Sequence, residues 1–226
     1  MKFDIITIFP EIFNSYFSES IMARAQKNKA IKIKVHNLRD FTFDKHKTTD
    51  DTPYGGGAGM VLKVEPIWRC VQFIKSKAKG QKSKSGSSLC SRIILFSAKG
   101  KKYTQADAKR LAKYDNLILI CGRYEGVDER VAKNIADEEI SIGDYVLTGG
   151  EVPAMIVTDS VTRLLPGVLG NKESAKYESH SEKNYLEYPQ YTKPEEFHKW
   201  KVPPVLLSGN HQEIKKWRDD QSKIKK

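Results

Sequence analysis

Three glycine-rich strings and a few charged side chains are the parts of this sequence whose types and spacing could do chemistry. PYGGGAGM (Pro53 to Met60) lacks the G-K-[ST] ending of a phosphate loop and the G-x-G-x-x-G spacing of a dinucleotide fold. CGRYEGVDER (Cys121 to Arg130) directly follows an apolar run and opens a helical pattern, and SIGDYVLTGGEVPA (Ser141 to Ala154) ends in a double glycine ahead of a long apolar helix. Glycines in such loops let backbone N–H and C=O groups approach a flat ligand closely, which suits an adenine edge better than a triphosphate. Each string alone reads as a tight turn; three in one domain shift the balance toward a ligand crevice. Arg163, at the end of the long helix, reads on its own as a surface ion pair or a contact with the helix dipole.

The elements that must position these residues follow from periodicity. Four apolar runs read as strands: Phe3 to Phe9, Ile31 to Leu38, Arg92 to Ser97 and Asn116 to Cys121. The first, third and fourth are apolar almost throughout, as strands covered on both faces should be. Helical patterns lie between them at Ser20 to Lys29, Glu65 to Lys77, Thr104 to Tyr114 and Val127 to Asn134, with Thr104 and Asp107 spaced like a capping box. This alternation predicts an α/β domain with a mainly parallel sheet flanked by helices. In such a sheet the loops beyond the strands' carboxyl ends line the ligand crevice. The long helix covers Val152 to Leu165, with Pro153 in its first turn and Pro166-Gly167 stopping it. Gly170 to Gln190 is polar and aperiodic and reads as a linker. Beyond it, Ser208 to Asn210 can cap a final basic helix from Gln212 onward.

Length, composition and charge narrow the class. A chain of 226 residues, 39% hydrophobic and 30% charged, can form one large domain with an appendage and needs no disulfide or metal staple. Cys70, Cys90 and Cys121 are odd in number without C-x-x-C spacing, so they read as buried reduced thiols. The five histidines show no H-E-x-x-H or i, i+4 pair, and no metal site is assigned. No apolar run approaches the roughly 20 residues of a membrane span, and the N-terminus lacks a cleavable leader; a cytoplasmic protein without a membrane partner is expected. The net charge of +11 is concentrated: Lys75 to Lys113 holds twelve basic residues and one acidic. Within it, the low-complexity Lys75 to Ser88 stretch is equally a solubilising loop or a polyanion-binding one, and Lys99, Lys101 and Lys102 are better placed to meet phosphates.

Six strings taken in order point further. DDTPYGGGAGM (Asp50 to Met60), LICGRYEGVDERV (Leu119 to Val131), SIGDYVLTGGEVPAM (Ser141 to Met155), PGVLGNKESA (Pro166 to Ala175), YPQYTKP (Tyr188 to Pro194) and VPPVLLSGNHQEIKKWR (Val202 to Arg218) closely resemble the bacterial tRNA (guanine-N1)-methyltransferases, knotted enzymes of the SPOUT class. The resemblance covers nearly the whole chain. It implies a deep trefoil knot, an S-adenosylmethionine-binding catalytic domain over residues 1–169, a flexible linker over 170–190 carrying a catalytic carboxylate, and a short helical tRNA-binding domain over 191–226. It also implies an obligate homodimer with shared active sites, one face of the helix around Met155 to Leu165 forming an isologous interface.

The resemblance assigns roles by position. It places Gly122, Ile142, Gly143, Asp144, Tyr145, Val146 and Leu147 in the adenosine pocket, flanked by Gly149, Gly150 and Pro153, with Tyr124 and Glu125 beside the methionine part. Leu95, Phe96, Ser97 and Ala98 line the adenosine side, Ala98 standing where the family often has proline. Guanine N1 carries a proton at neutral pH, so its methylation needs a base there and a positive or hydrogen-bonding group for the charge developing at O6. Arg163 matches the catalytic arginine. Glu178 stands where the family has an aspartate base, keeping the carboxylate with one more methylene, and Glu182 is a neighbouring competitor. Glu187 is expected to orient substrate or base, and Asp50 and Gly59 to meet the substrate guanosine, the one immediately 3′ of the anticodon. Mg²⁺ enters as a cofactor of the family with no protein ligand assignable. The chain stops soon after WRDDQSKIKK where the family commonly continues, so weaker tRNA affinity, or affinity carried by the Lys-rich loop, is expected. Two other readings compete: a non-catalytic RNA-binding module, and a related knotted enzyme acting on a ribose 2′-hydroxyl. The first is disfavoured by the joint presence of the glycines, Arg163 and a linker carboxylate, the second by the anticodon-reading tail.

Overall fold

The computed structural model describes residues 1–78, 90–170, 178–182 and 185–222. They fall into two compact units, Met1–Leu169 and Gly170–Lys226. The first runs β1 (Lys2–Thr7), α1 (Ile12–Phe17), α2 (Ser20–Lys27), β2 (Lys32–Asn37), a short 3-10 turn (Leu38–Phe41), β3 (Asp50–Asp51), β4 (Val61–Leu62), α3 (Val64–Ala78), β5 (Ser91–Lys102), α4 (Gln105–Leu111), β6 (Asn116–Cys121), α5 (Glu129–Asn134), β7 (Glu138–Ser141) and α6 (Glu151–Thr162). Five of the strands form one sheet in the order β2-β1-β6-β5-β7, every neighbouring pair parallel.

Successive strand residues face opposite sides, and both sides are apolar. Phe3, Ile5, Ile94, Phe96, Leu117 and Leu119 pack with Phe13 and Phe17 of α1, Met22 of α2, Leu111 of α4 and Val157 and Val161 of α6. On the other face Ile6, Ile93, Leu95, Ile118 and Ile120 meet Ile67, Val71 and Ile74 of α3 and Val131 of α5. All six residues of β6, the central strand, are buried. Burial of each such aliphatic side chain is worth about 1.5–3 kcal/mol, so this alternation is the main force holding helices on both faces.

The expected strands and helices are present with shifted ends, and the differences have physical causes. β5 runs on to Lys102 because its pairing with β7 resumes at Lys101 after a register shift, leaving 97–100 as a bulge. β7 itself, Glu138–Ser141, is not an apolar run. Its Glu138 is compensated from afar: Arg92 Nε donates at 3.0 Å, and Arg110 Nη1 and Nη2 at 3.1 and 2.8 Å. Burial raises the Glu138 carboxyl, but these guanidinium bonds outweigh it and hold it below the usual range. The Asp107 carboxylate accepts from both Thr104 N–H (3.1 Å) and Thr104 Oγ1 (2.8 Å), as the capping spacing predicts. Lys75 and Lys77 belong to α3; residues 79–88 of the Lys-rich stretch lie outside the described residues. Cys70 and Cys121 are buried, but Cys90 is exposed just ahead of β5, a correction to the expectation of three buried thiols. Among the described residues no helix is long and apolar enough to cross a membrane.

At the start of the sheet Asp4 is fully buried, with His36 Nε2 at 2.8 Å, Lys2 Nζ at 2.6 Å and Asn116 Nδ2 at 3.1 Å. Burial pushes its carboxyl up; the His36 and Lys2 hydrogen bonds push it down further and win. A carboxyl lowered by folding adds stability above its unfolded pKa and loses it as pH falls through the folded one. Asp4→Asn is therefore expected to cost about 1–3 kcal/mol at neutral pH and to flatten the loss of stability below about pH 4. Urea unfolding at the two pH values checks this; equal stability of variant and wild type at both contradicts it.

The second unit holds a small hairpin, β8 (Glu196–Phe197) and β9 (Trp200–Lys201), then α7 (Pro204–Leu207) and α8 (His211–Gln221). The Asn210 side chain accepts from Gln212 N–H and Glu213 N–H at 3.2 and 3.4 Å, so within the expected Ser208 to Asn210 stretch the cap is Asn210, and the helix begins one residue earlier than expected.

Candidate active site

β6, β5 and β7 lie side by side, and the bulged stretch of β5 together with the segments that follow β6 and β7 lines a cleft of about 430 Å³. After β7 the chain turns back past the end of β5 to reach β6, where Gly150 N–H donates to the Gly122 carbonyl at 2.9 Å. This return depends on glycine: a Cβ on Gly150 would lie 2.6 Å from Cys121 Cα and 2.9 Å from Gly122 N, backbone atoms of the buried central strand and its exit. From the first wall come Leu95, Phe96, Ser97 and Ala98; from the second Gly122, Tyr124 and Glu125; from the third Ile142, Tyr145, Val146, Leu147, Gly149, Gly150 and Pro153. The structure thus brings together nearly every residue expected at the cofactor. Gly143 and Asp144 are the exceptions and do not line the cleft. Asp144 is exposed and pairs with Lys102, and Gly143 lies against the Tyr145 ring.

Sequence reasoning missed several lining residues, among them Lys99, Arg123, Glu129, Ala132, Glu139 and Thr148. Glu139 sits on β7, the strand without an apolar signature. The lone glycine at 100 in an otherwise strand-like run signals the bulge that carries Lys99. Lys99, Lys101 and Lys102 are exposed along the strand and ion-paired there with Glu129 (2.6 Å), Asp107 (2.9 Å) and Asp144, weak surface pairs that leave them within reach of a polyanion.

The character of the cleft is legible in its walls. Tyr145, Val146 and Leu147 expose large apolar surfaces at one side. Tyr124 is held at φ 61°, a backbone conformation rare outside glycine. Glu139 Oε1 is buried with no hydrogen-bond partner among the described residues, an acceptor that costs free energy until a ligand's donor or positive charge meets it. A lining that combines these apolar side chains with the carboxylates of Glu125, Glu129 and Glu139 suits a cationic nucleoside, and S-adenosylmethionine fits that description. Cys121, behind the cleft, has its thiol pushed up by burial and by the Glu151 charge, so it is no nucleophile.

The remaining candidates divide between the units. Asp50, half-buried in β3, pairs through the β3–β4 ladder with Leu62. The loop after β6 docks on β4: Glu125 N–H donates to the Met60 carbonyl and Leu62 N–H to that of Gly126, both at 3.0 Å. Gly59 adjoins Glu125 so closely that a Cβ there would stand 2.5 Å from Glu125 Cγ, which sets the 53–60 glycine loop beside the cleft's second wall. Arg163, half-buried, is the residue that ends α6, its N–H donating to the Asp159 carbonyl at 3.0 Å. Glu178 and Glu187 belong to the second unit. The Glu178 carbonyl accepts from Ser181 N–H at 2.9 Å, and the Glu187 carboxylate accepts from Gln190 Nε2 at 2.7 Å. Among the described residues there is no group of three or more His, Cys, Asp or Glu side chains that could hold a metal ion.

An open parallel sheet with helices on both faces and a glycine-walled crevice at the carboxyl ends of three adjacent strands defines an α/β domain built to hold a small ligand. The comparisons with known proteins narrow that class. The family model described as tRNA (Guanine-1)-methyltransferase TrmD matches residues 1–226, and the chain belongs to this family. A tRNA (guanine-N(1)-)-methyltransferase of Geotalea uraniireducens is 54% identical over 222 residues, covering 98% of this chain and 85% of that protein. One of the same name from Dictyoglomus turgidum is 54% identical over 218 residues, covering 96% and 83%. The crystal structure of tRNA (m1G37) methyltransferase from Aquifex aeolicus superposes with a TM-score of 0.77 at 38% identity, over 96% of this chain and 87% of that one.

Proposed function

We propose that this chain transfers a methyl group from S-adenosylmethionine to N1 of the guanosine immediately 3′ of the anticodon in tRNA. The observation that carries the reading is one cleft lined by two of the glycine strings, through Gly122 and Gly126 and through Gly149 and Gly150, in a chain that matches this methyltransferase family from end to end. When bound, the donor supplies an activated methyl on a sulfonium; one N–CH₃ bond forms as the S–CH₃ bond breaks. The chain's own residues do the rest. The cleft walls hold the adenosine against Tyr145 and Leu147 and leave Glu125 and Glu139 to the cationic end. Glu178 takes the N1 proton, the Arg163 guanidinium stabilises the negative charge gathering at O6, and Asp50, Gly59 and Glu187 position the extruded base. Glu182 is the alternative base.

Residues 1–169 act in this reading as the catalytic domain with a trefoil-knotted chain path, for which the likeness to the Aquifex fold is the support. Residues 170–190 act as the linker that brings the carboxylate, and 191–226 as the part that holds the anticodon arm. The protein works in the cytoplasm as a homodimer. Support for the dimer is an apolar surface on α6 and α1: Val152 and Ile156 are exposed, as are Ile12 and Tyr16, with Tyr16 Oη donating to Asp159 Oδ2 at 2.5 Å. Ile156→Asp is expected to weaken association by about 2 kcal/mol or more and to depress methyl transfer with it. Light scattering on dilution should show a monomer, and an unchanged dimer mass contradicts the interface.

The function is tested with labelled donor and unmodified tRNA transcripts bearing guanosine or adenosine 3′ of the anticodon. Transfer confined to the guanosine transcript, with 1-methylguanosine as the product nucleoside, is expected, and tRNA affinity should fall steeply with salt. A ribose-methylated product, or tRNA binding without transfer, selects one of the competing readings instead.

A further inference from the structure

The walls of the cleft have little regular structure of their own, so something beyond them must set their spacing. Between the loop after β6 and the segment before α6, the backbone supplies the Gly150–Gly122 hydrogen bond and an isolated bridge between Arg123 and Gly149. The Arg123 side chain adds a fork. Its Nε donates to Glu151 Oε2 at 2.9 Å, its Nη1 donates to the Thr148 carbonyl at 3.2 Å, and its guanidinium carbon lies 4.7 Å from the centre of the Phe9 ring. Glu151 is 1% exposed, and its second oxygen accepts from Thr7 Oγ1 at 2.7 Å. The Thr7 hydroxyl oxygen accepts in turn from Phe9 N–H at 2.9 Å. One guanidinium thereby ties together the end of β1 and two of the three cleft walls.

We infer that Arg123 and Glu151 are a positioning couple that sets the width of the donor cleft and so determines how tightly the methyl donor is held, while leaving transfer from bound donor to other groups. The inference rests on the reading of this cleft as the S-adenosylmethionine site. Both Glu151 oxygens are already engaged and the side chain is closed to solvent, so it is not a candidate acid or base. Arg123 reaches a carboxylate and a carbonyl with two planar donors at once, which an ammonium on a flexible stem does not reproduce. An isolated buried ion pair contributes little net stability over an apolar replacement. This pair joins the two segments that form two walls of the cleft, so losing its charged hydrogen bonds lets those walls move apart and weakens the hold on the donor.

Arg123→Lys and Glu151→Gln, made in the full chain, test this by calorimetric titration with S-adenosylmethionine and by steady-state kinetics with tRNA. Each variant should raise the donor Kd and the donor KM by about 10–100-fold, with kcat at saturating donor and KM for tRNA within about threefold of wild type. The double variant should be no worse than about threefold beyond the weaker single one, because both changes break the same contact. Circular dichroism selects the folded variants, and Glu151→Gln decides alone if Arg123→Lys does not fold. Donor Kd within about twofold of wild type, or a fall in kcat at saturating donor with unchanged Kd, overturns the couple and leaves the donor site standing. A wild-type protein that binds no S-adenosylmethionine overturns both.

Discussion

Arg163→Ala should transfer methyl about 10²–10³-fold more slowly than wild type at saturating donor and tRNA, with donor affinity unchanged. As N1 loses its proton and attacks the methyl carbon, negative charge passes to O6, and a guanidinium held there is worth most in the transition state and little in the ground state. The loss therefore belongs in kcat. Arg163 ends α6 and is not among the residues lining the cleft, so its removal leaves the donor walls intact. Glu178→Ala should lose about 10²–10⁴-fold by removing the base, again with donor bound normally. Undiminished transfer by Glu178→Ala removes it as the base and points to Glu182 or Glu187. Single-turnover rates beside calorimetric donor affinities separate these outcomes.

Gly150→Ala is expected to have the largest effect on the cleft. The new methyl would meet Cys121 Cα at 2.6 Å and Gly122 N at 2.9 Å, and neither can yield without moving the end of the fully buried β6. Overpacking of this kind costs about 1–3 kcal/mol, or roughly 2–12 °C in Tm for a chain of this length. Relieving the clash by lifting the segment before α6 off the loop after β6 opens the cleft, so donor affinity should fall by about tenfold or more. Thermal unfolding with and without S-adenosylmethionine measures both effects. Wild-type affinity in a folded Gly150→Ala protein would show that this close approach does not shape the donor site.

What could be read from the residues alone is the part of the molecule governed by local pattern. NLILIC is buried along its whole length, as its apolar run implies, and Thr104 and Asp107 make their cap. The parts that escaped depend on partners distant in sequence. EEIS becomes β7 because arginines on β5 and α4 compensate Glu138, and no local rule anticipates that. Arg123 and Glu151 each directly follow a glycine inside one of the glycine strings, yet their pairing requires the return of the chain from β7 to β6. The adenosine pocket was legible only through family resemblance, since glycine spacing by itself indicates a close backbone approach and not a ligand. Within 142–147, Asp144 is exposed and paired with Lys102 on β5, a partner distant in sequence that no local pattern indicates.

The account stands on the donor lying in the slot formed at the ends of β5, β6 and β7. Hydrogen exchange of the full protein with and without saturating S-adenosylmethionine maps that slot directly. The account predicts slowed exchange concentrated in 97–100, 122–127 and 142–150. Donor binding that left these segments unprotected, or protected a different region, would contradict it.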